Sequence, residues 1–163
     1  MRPSRPFGPA TGLGAPTSTR DAVRFVDTNV LLYAVSKDPA EARKTRIALA
    51  LLTEGDIALS VQVLQEFYVQ ATRTGRPDPL TARQASALVE SWRRFPVQPV
   101  TAELMQAGFA ASVQFQISYW DATIVEGARL MGCELLLTED LQHGRDFDGI
   151  RVQNPFASKG RAR

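Results

Sequence analysis

Short apolar runs alternate along the chain with longer segments in which apolar residues recur at helical spacing. The run Val23-Arg24-Phe25-Val26 is typical of a β-strand, and the polar triplet Asp27-Thr28-Asn29 follows it directly. Ser60 suits the N-cap of one helix, and Gly55 suits the end of another. The pattern predicts strands at 23–26, 57–59, 97–100, 134–138 and 150–152, and helices at 30–35, 40–53, 61–72, 81–92, 102–114 and 119–131.

The order of these elements indicates the fold class. Strands that alternate with helices pair in parallel, because each helix returns the chain to the same edge of the sheet. The run Leu135-Leu136-Leu137 is apolar at every position, as expected of a strand that is buried on both faces. We therefore predict an α/β fold with a short, mostly parallel sheet.

The charge of the chain is unevenly distributed. Its 163 residues include 19 Lys and Arg against 17 Asp and Glu, a net charge of +2. Residues 1–20 and 158–163 each hold three basic residues and no acid, so residues 21–157 retain 13 basic residues against 17 acids, a net charge of −4. The first segment is rich in Pro and Gly and has too few apolar residues to bury a face. We predict a flexible basic arm or a mis-set start at 1–21, a folded domain at 22–157 and a basic tail at 158–163.

The composition excludes several classes of protein. A single cysteine, Cys133, allows no disulfide within the chain, and with only one histidine it allows no Cys/His zinc site of the usual kind. No apolar run approaches the roughly 20 residues that a membrane-spanning helix needs, and the proline-rich start lacks the apolar core of a signal peptide. We therefore expect a soluble, cytoplasmic protein that does not contact a membrane.

Four acidic residues lie at or near the carboxyl ends of the predicted strands, the edge where an open parallel sheet binds its ligands. Asp27 ends the first predicted strand, and Asp140 follows the strand at 134–138. Asp121 lies in the first turn of a predicted helix, and Glu66 lies among apolar residues in the helix that follows the second strand. Each acid has an ordinary alternative explanation: Asp27 and Asp121 as helix-capping acids, Asp140 as a loop residue, and Glu66 as part of a solvated stripe with Gln62, Gln70 and Arg73.

The joint placement of the four acids favours a metal site over these separate explanations. Carboxylates gathered at one edge of a sheet repel one another unless a cation lies among them. A cluster of oxygen ligands without Cys or His selects a hard cation, Mg²⁺ or Mn²⁺. Such an ion can polarise a phosphate and lower the pKa of a bound water, which predicts a metal-dependent phosphodiesterase. Asn29 stands where an aspartyl-phosphate phosphatase has a second Asp, so direct attack by water is favoured.

Four short motifs resemble, in order and spacing, the acidic motifs of PIN-domain ribonucleases, and in particular the VapC-type toxins of bacterial toxin–antitoxin pairs. The similarity covers about residues 22–157 and includes an ending at 149–156 that looks like the last strand of that family. The motifs are Phe25-Val26-Asp27-Thr28-Asn29-Val30-Leu31, Gln65-Glu66-Phe67, Tyr119-Trp120-Asp121-Ala122 and Leu137-Thr138-Glu139-Asp140-Leu141.

The resemblance implies a three-layer α/β/α sandwich and cleavage of RNA that depends on Mg²⁺ or Mn²⁺. It also implies a homodimer and a cognate antitoxin protein whose tail enters the acidic groove. By motif match, Asn29 and Thr138 would support the site, and Glu139 is held in reserve because neighbouring residues at a strand end point in different directions. The implied catalytic and metal-binding acids are Asp27, Glu66, Asp121 and Asp140.

Other residues and other functions stay open at this point. We expect Trp120 to be largely buried, His143 to be a loop residue, and Arg129 and Arg145 to be candidates for contacting RNA phosphates. The helical spacing of Phe67, Tyr68 and Trp92 fits either the core or a dimer contact. The alternatives to a toxin are an RNA-processing enzyme or a structure-selective DNA nuclease of the same fold, and a binding module without catalysis.

Overall fold

The computed structural model describes residues 23–158. The predicted arm at 1–21 and all but the first residue of the predicted tail therefore lie outside the described residues. Within the described range, six strands form one sheet in the order β3-β2-β1-β4-β6-β5. The strands are β1 (Arg24–Val26), β2 (Ile57–Ser60), β3 (Val97–Gln98), β4 (Leu135–Leu137), β5 (Asp146–Phe147) and β6 (Ile150–Gln153).

Helices connect the strands, as the alternating pattern predicts. A short 3₁₀-helix at Pro39–Glu41 precedes the second helix. No helix in the described range is long and apolar enough to cross a lipid bilayer. The α-helices are α1 (Thr28–Ala34), α2 (Ala42–Glu54), α3 (Val61–Thr72), α4 (Ala82–Trp92), α5 (Ala102–Phe115) and α6 (Tyr119–Leu130).

Helices cover the sheet on both faces. All four residues of β2 are buried, and successive side chains of a strand point to opposite faces, so each face must be covered. Helix α6 packs against α5 and contacts β2, β4 and β6, whereas α1 packs against α2 and α3, and α3 against α4. The predicted α/β/α sandwich with a mostly parallel sheet is confirmed.

Local chemistry sets the ends of the helices. The hydroxyl of Ser60 accepts a hydrogen bond from the backbone N–H of Val63, so α3 begins where the sequence predicts. Ser118 caps α6 in the same way, through the backbone N–H of Asp121. Helix α2 ends at Gly55, whose φ of +87° is accessible to glycine at little cost.

The parallel register brings the ends of distant strands together. Val26 of β1 pairs with Leu137 of β4, and the backbone N–H of Asp27 donates to the carbonyl of Leu137 over 3.0 Å. Asp27 and Thr138, the residues that follow β1 and β4, therefore lie side by side. The strand β2, which leads into the helix that carries Glu66, is the other neighbour of β1.

A two-residue strand, β5, was missed by the sequence pattern. It forms an antiparallel hairpin with β6 through Asp148 and Gly149, whose φ values are +51° and +97°. This conformation is that of a tight hairpin turn, for which Asp-Gly is a preferred sequence. The Asp-Gly pair was thus the available signal, but Asp146-Phe147 is too short to show alternation.

Two of the three aromatic residues that could have served the core or a dimer contact belong to the core. Phe67 is fully buried and Trp92 nearly so, and their rings meet edge to face with centroids 4.6 Å apart. Tyr68, on the outer face of α3, remains exposed. Cys133 is also buried, as expected of a small apolar residue, and burial raises the pKa of its thiol to about 11.

Candidate active site

Asp27 is the most deeply placed of the four predicted acids. Its Oδ1 accepts a hydrogen bond of 2.7 Å from the backbone N–H of Thr28, which makes Asp27 the N-cap of α1. Its Oδ2 accepts a hydrogen bond of 2.7 Å from the hydroxyl of Thr138, which is fully buried. Asp27 is therefore both a helix cap and a member of the site, so the capping explanation is correct but does not exclude a functional one.

Burial raises the pKa of Asp27 from 3.8 to about 6, because a carboxylate loses its hydration inside the protein. Hydrogen bonds from Thr138 and Thr28 oppose this effect, while the charges of Asp140 and Glu66 add to it. The negative charge on Asp27 is thus unfavourable in the folded chain. A buried carboxylate in this condition is a common feature of catalytic and cation-binding sites.

Asn29 joins Asp27 to Asp140. Its Nδ2 lies 3.1 Å from Oδ2 of Asp140, 3.4 Å from Oδ2 of Asp27 and 2.9 Å from Oγ1 of Thr138. Two of these partners are carboxylates that only accept when ionised, so the amide must point its nitrogen toward them. The Oδ1 of Asn29 is buried and has no hydrogen-bond partner among the described residues. An acceptor left in this way beside two carboxylates suits a water held within the site.

Glu66 is held by residues of two helices. Its Oε2 accepts from the hydroxyl of Thr28 over 3.0 Å, and its Oε1 accepts from Nε2 of Gln62 over 3.0 Å. Gln62 is itself buried and also donates to the backbone carbonyl of Trp120 over 3.2 Å. Glu66 therefore belongs to a fixed network at the sheet edge and not to a freely solvated stripe.

Asp121 is held by the residue that caps its own helix. The hydroxyl of Ser118 donates to Oδ2 of Asp121 over 2.7 Å and accepts from the backbone N–H of Asp121 over 3.0 Å. The carboxylate also lies in the first turn of α6, where the helix dipole favours negative charge.

All four acids line one small cleft of about 100 Å³. Their burial is graded: Asp27 is buried, Glu66 and Asp121 are half-buried, and Asp140 is exposed. Within residues 23–158, however, no three Asp, Glu, His or Cys side chains stand close enough to hold an ion as they are placed. The structure thus gathers the predicted acids at one edge without forming a closed cage.

These residues fit a divalent cation in their chemistry. The set contains only oxygen ligands, which Mg²⁺ and Mn²⁺ prefer, and Mg²⁺ keeps several waters beside one or two carboxylates. Asp27 and Asp140, linked through Asn29, supply such a pair, and the unpaired Oδ1 of Asn29 can accept a hydrogen bond from a coordinated water.

Glu139 points away from this cleft. Its Oε2 lies 2.6 Å from Nζ of Lys44, and its Oε1 accepts a hydrogen bond from the hydroxyl of Tyr33. Lys44 in turn donates to the hydroxyl of Tyr33 over 2.7 Å. These three residues form a closed group beside a larger neighbouring cleft of about 410 Å³, which shares Asn29 and Asp140 with the acid cleft.

The expectation that Trp120 is largely buried is wrong: this residue is 64% exposed. Helix α6 buries the face that carries Ala122, Ile124 and Val125, whereas Trp120, in its first turn, lies largely in solvent. An aromatic residue beside an apolar face is usually buried, and its exposure here is set by tertiary packing that the local sequence does not show.

The two arginines expected to contact RNA phosphates, and the histidine expected in a loop, all make contacts within the protein. Arg129 donates to the backbone carbonyls of Phe147 and Asp148, at 2.7 and 2.8 Å, and so holds the β5–β6 turn. Arg145 donates to the backbone carbonyl of Phe115 at the end of α5 over 2.6 Å. His143 accepts a hydrogen bond from the backbone N–H of Asn154, in keeping with the expected loop role.

Sequence reasoning missed Thr28 and Thr123 as members of the site. Thr28 bonds to Glu66, and the hydroxyl of Thr123 lies 2.6 Å from Oε1 of Gln62 and 2.8 Å from the carbonyl of Trp120. Gln62 stands four residues before Glu66, a spacing that places the two on one helix face, so its role could be suspected. No comparable pattern marks the threonines, because their partners are distant in sequence.

Comparison with known proteins points to one family. Residues 24–146 match the family described as PIN domain. No curated protein matches the chain significantly. A toxin–antitoxin complex from Klebsiella pneumoniae superposes with a TM-score of 0.59, at 22% sequence identity, over 82% of this chain and 98% of that chain.

Two further solved structures share the fold. DNA-bound VapBC from Salmonella typhimurium gives a TM-score of 0.57 at 18% identity, covering 82% of this chain and 98% of that chain. VapC20 from Mycobacterium tuberculosis, described as a toxin that cleaves the sarcin-ricin loop, gives 0.52 at 21% identity, covering 69% and 85%. The family match spans most of the chain and contains all four predicted acidic motifs, so this chain belongs to the PIN domain family.

Proposed function

We propose that this chain is a metal-dependent endoribonuclease that acts as the toxin of a type II toxin–antitoxin pair. The observation that carries the proposal is the cleft at the carboxyl edge of the sheet, which is lined by Asp27, Glu66, Asp121 and Asp140 and in which the buried Asp27 has a raised pKa. Membership of the PIN domain family and the fold shared with VapC proteins support it.

The four acids would hold one or two divalent ions, Mg²⁺ or Mn²⁺. When bound, such an ion supplies positive charge to the phosphate and lowers the pKa of water, so that hydrolysis needs no covalent intermediate. The carboxylates also repel the phosphates of RNA, and their charge must be offset before a strand can enter the cleft. The same acids therefore select the cofactor and make substrate binding depend on it.

The neighbouring polar residues keep these carboxylates in place. Asn29 and Thr138 fix Asp27 and Asp140, which come from opposite ends of the folded chain. Thr28 and Gln62 fix Glu66, and Ser118 fixes Asp121. Each carboxylate thus has at least one neutral hydrogen-bond donor, which orients it without neutralising its charge.

An antitoxin protein is the proposed partner. One structure that shares this fold is described as a toxin–antitoxin complex, and another as DNA-bound VapBC. The acid cleft and the larger cleft beside it share Asn29 and Asp140 among their lining residues, and both offer acidic side chains to a basic segment of such a partner.

A second copy of the chain is the other proposed partner. Met105, Phe109 and Val113 stand four residues apart on α5, and all three are exposed. Side chains at this spacing share one face of a helix, so they form an apolar stripe that a symmetric dimer would bury. We refer to Met105, Phe109 and Val113 as the α5 stripe.

The proposal is tested with the full chain purified free of any antitoxin. Single-stranded RNA, structured RNA and DNA of the same sequence are incubated with the protein in Mg²⁺, in Mn²⁺ and in EDTA, and Asp27→Ala serves as the inactive variant. We expect internal cleavage of RNA with either metal, and none in EDTA or with Asp27→Ala. Equal cleavage under all conditions would reject the metal site, preferential cleavage of DNA would favour a DNA nuclease, and absence of cleavage and of metal binding would favour a binding module.

A further inference from the structure

Trp120 is a large aromatic residue that the fold leaves in solvent at the edge of the acid cleft. It is 64% exposed, yet it lines the same cleft as the four acids. The only other tryptophan of the chain, Trp92, is 4% exposed and packs on Phe67 in the core. A tryptophan can bury roughly 150–250 Å² of surface, so core packing does not account for the placement of Trp120.

The backbone of Trp120 is tied to the acids, although most of its side chain is exposed to solvent. Nε2 of Gln62 donates both to the carbonyl of Trp120, over 3.2 Å, and to Oε1 of Glu66, over 3.0 Å. The hydroxyl of Thr123 lies 2.8 Å from the same carbonyl. Asp121 is the next residue along the chain. The position of Trp120 relative to Glu66 and Asp121 is thus fixed by partly buried hydrogen bonds, which suits a residue that orients a bound molecule.

We propose that Trp120 stacks on a nucleobase of the RNA next to the phosphate that is cleaved, and that the cleft therefore takes an unpaired strand. This inference rests on the proposed function. Aromatic side chains recognise single-stranded RNA by stacking on its bases, and the contact tolerates any base because every base has a π-face. A base in a duplex is already stacked on both sides, so only an unpaired residue can use the ring of Trp120.

The cleft is acidic, so it needs an attraction for RNA that does not depend on charge, and stacking is such an attraction. Four carboxylates surround the place where the sugar-phosphate backbone must pass, and they repel it. Arg129 and Arg145, the cations expected to attract phosphate, donate instead to backbone carbonyls of the protein. Stacking on an uncharged ring attracts RNA without relying on charge, and it holds a base at a set distance from the carboxylates.

A second copy of the chain is the alternative partner that could pack on the ring of Trp120. Tyr119 packs on Phe109 of the α5 stripe with ring centroids 5.1 Å apart, and the ring of Trp120 meets Tyr119 at the same distance, edge to face. The lining of the acid cleft by Trp120 favours the nucleobase, because Phe109 and the rest of the α5 stripe do not line it. The experiment below separates the two occupants.

The fluorescence of Trp120 offers a direct test that does not need cleavage. In Trp92→Phe, Trp120 is the sole tryptophan, and stacking with a base quenches its emission. Full-length Trp92→Phe is titrated in Ca²⁺, which offsets the charge of the carboxylates, with a short single-stranded RNA of mixed sequence, with the same RNA as a duplex, and with an abasic strand of the same length. We expect quenching by single-stranded RNA and little by the other two. Binding of single-stranded RNA that leaves the emission unchanged would overturn the proposal.

Variants at Trp120 extend the test to affinity and turnover. Trp120→Ala should weaken binding of single-stranded RNA by roughly 5- to 100-fold, with the loss expressed in KM and not in kcat, and Trp120→Phe should recover part of it. Leu130→Ala, an exposed apolar residue at the far end of α6, is the matched control and should behave as wild type. If Trp92→Phe does not fold, the same titration with Trp120→Ala and Leu130→Ala, followed by fluorescence polarisation of labelled RNA, decides the question.

Three results would reject the stacking role. The first is an unchanged RNA affinity in Trp120→Ala, and the second is an equal loss of RNA affinity in Trp120→Ala and Leu130→Ala. The third is that Trp120→Ala converts a dimer to a monomer while Phe109→Ala loses as much RNA affinity as Trp120→Ala does. The last result would assign the ring to a second copy. Quenching without any metal-dependent cleavage would support stacking while the proposed catalysis fails, so the two failures are distinguishable.

Discussion

The hydroxyl of Thr138 donates a hydrogen bond of 2.7 Å to Oδ2 of Asp27 and so joins the residues that follow β4 and β1. Oγ1 of Thr138 also accepts hydrogen bonds from Nδ2 of Asn29, at 2.9 Å, and from the backbone N–H of Asp140, at 3.1 Å. One fully buried hydroxyl therefore connects three elements of the proposed metal site. Its removal tests whether these residues act as a unit.

Thr138→Val keeps the shape of the side chain and removes the hydroxyl. We expect the free energy of unfolding to fall by about 1–3 kcal/mol, because the buried partners of the hydroxyl lose their hydrogen bonds. RNA cleavage should fall by about 10- to 100-fold, the usual cost of losing a residue that orients a metal ligand. Thr138→Ser retains the hydroxyl and should stay near wild type in both assays. Wild-type cleavage by Thr138→Val would show that the connection has no catalytic role.

Asp27→Asn should change how stability depends on pH in the metal-free protein. The folded pKa of Asp27, about 6, lies above its ordinary value of 3.8, so the folded chain retains the proton over a range where the unfolded chain releases it. The contribution to stability is fully present below pH 3.8 and is lost as the pH rises to about 6, a loss of about 3 kcal/mol. Asn cannot ionise, so the Asp27→Asn protein does not lose this stability as the pH rises.

Urea unfolding in EDTA measures the difference. Relative to wild type, Asp27→Asn should gain stability between pH 4 and pH 7, by about 3 kcal/mol. Carboxylates that lie away from Asp27 titrate alike in both proteins and cancel in the comparison. A difference between the two proteins that does not change with pH would contradict the raised pKa of Asp27.

Gly108→Ala should destabilise the contact between α5 and α6. A Cβ at this position would lie 2.5 Å from Cγ2 of Thr123 and 3.0 Å from the ring of Tyr119, closer than atoms can approach. Thr123 is not free to turn, because its hydroxyl is bonded to Gln62 and to the carbonyl of Trp120. We expect a loss of about 1–3 kcal/mol in urea unfolding, the usual cost of overpacking.

Gly127→Ala provides the matched control, since it also lies in a helix. The nearest atom to a Cβ there is 3.4 Å away, on the ring of Phe25, which is an ordinary contact. The gain in helix propensity, up to about 1 kcal/mol, should make this variant neutral or slightly more stable. Similar losses in both variants would show that the close approach at Gly108 is not specific.

Phe109→Asp should convert the proposed dimer to a monomer. Phe109 lies at the centre of the α5 stripe and is 53% exposed, so the substitution places a charge in the proposed interface without disturbing the core. Sedimentation analysis of the full chain measures the change. Leu49→Asp, at an exposed apolar position on α2, is the control and should remain dimeric. A wild-type chain that sediments as a monomer would reject the dimer.

The sequence was most informative where local chemistry decides the structure. Ser60 and Gly55 mark helix ends through their own hydrogen bonding and backbone freedom, and the order of strands and helices dictates a parallel sheet. From that sheet alone it follows that Asp27 and Asp140 meet at one edge. The PIN domain assignment, which rests on these motifs, is confirmed.

Features that depend on distant contacts could not be predicted from the sequence. Trp120 looked like a core residue, because nothing local shows that the fold leaves the first turn of α6 with this side chain exposed. Glu139 and Asp140 are chemically similar neighbours, and they are distinguished by Lys44, which approaches Glu139 from α2. The hydroxyls of Thr28 and Thr123 enter the site through partners 38 and 61 residues away.

Binding of Mn²⁺ by the full chain tests the central claim most directly, namely that the four acids form one metal centre. Calorimetric titration compares wild type, Asp27→Asn, Asp140→Asn and Glu134→Gln, the last an exposed acid beside the opposite end of β4. We predict that wild type and Glu134→Gln bind Mn²⁺ equally, and that each Asp variant binds at least about tenfold more weakly. Equal affinity in all four proteins, or no binding by the folded wild type, would contradict the account.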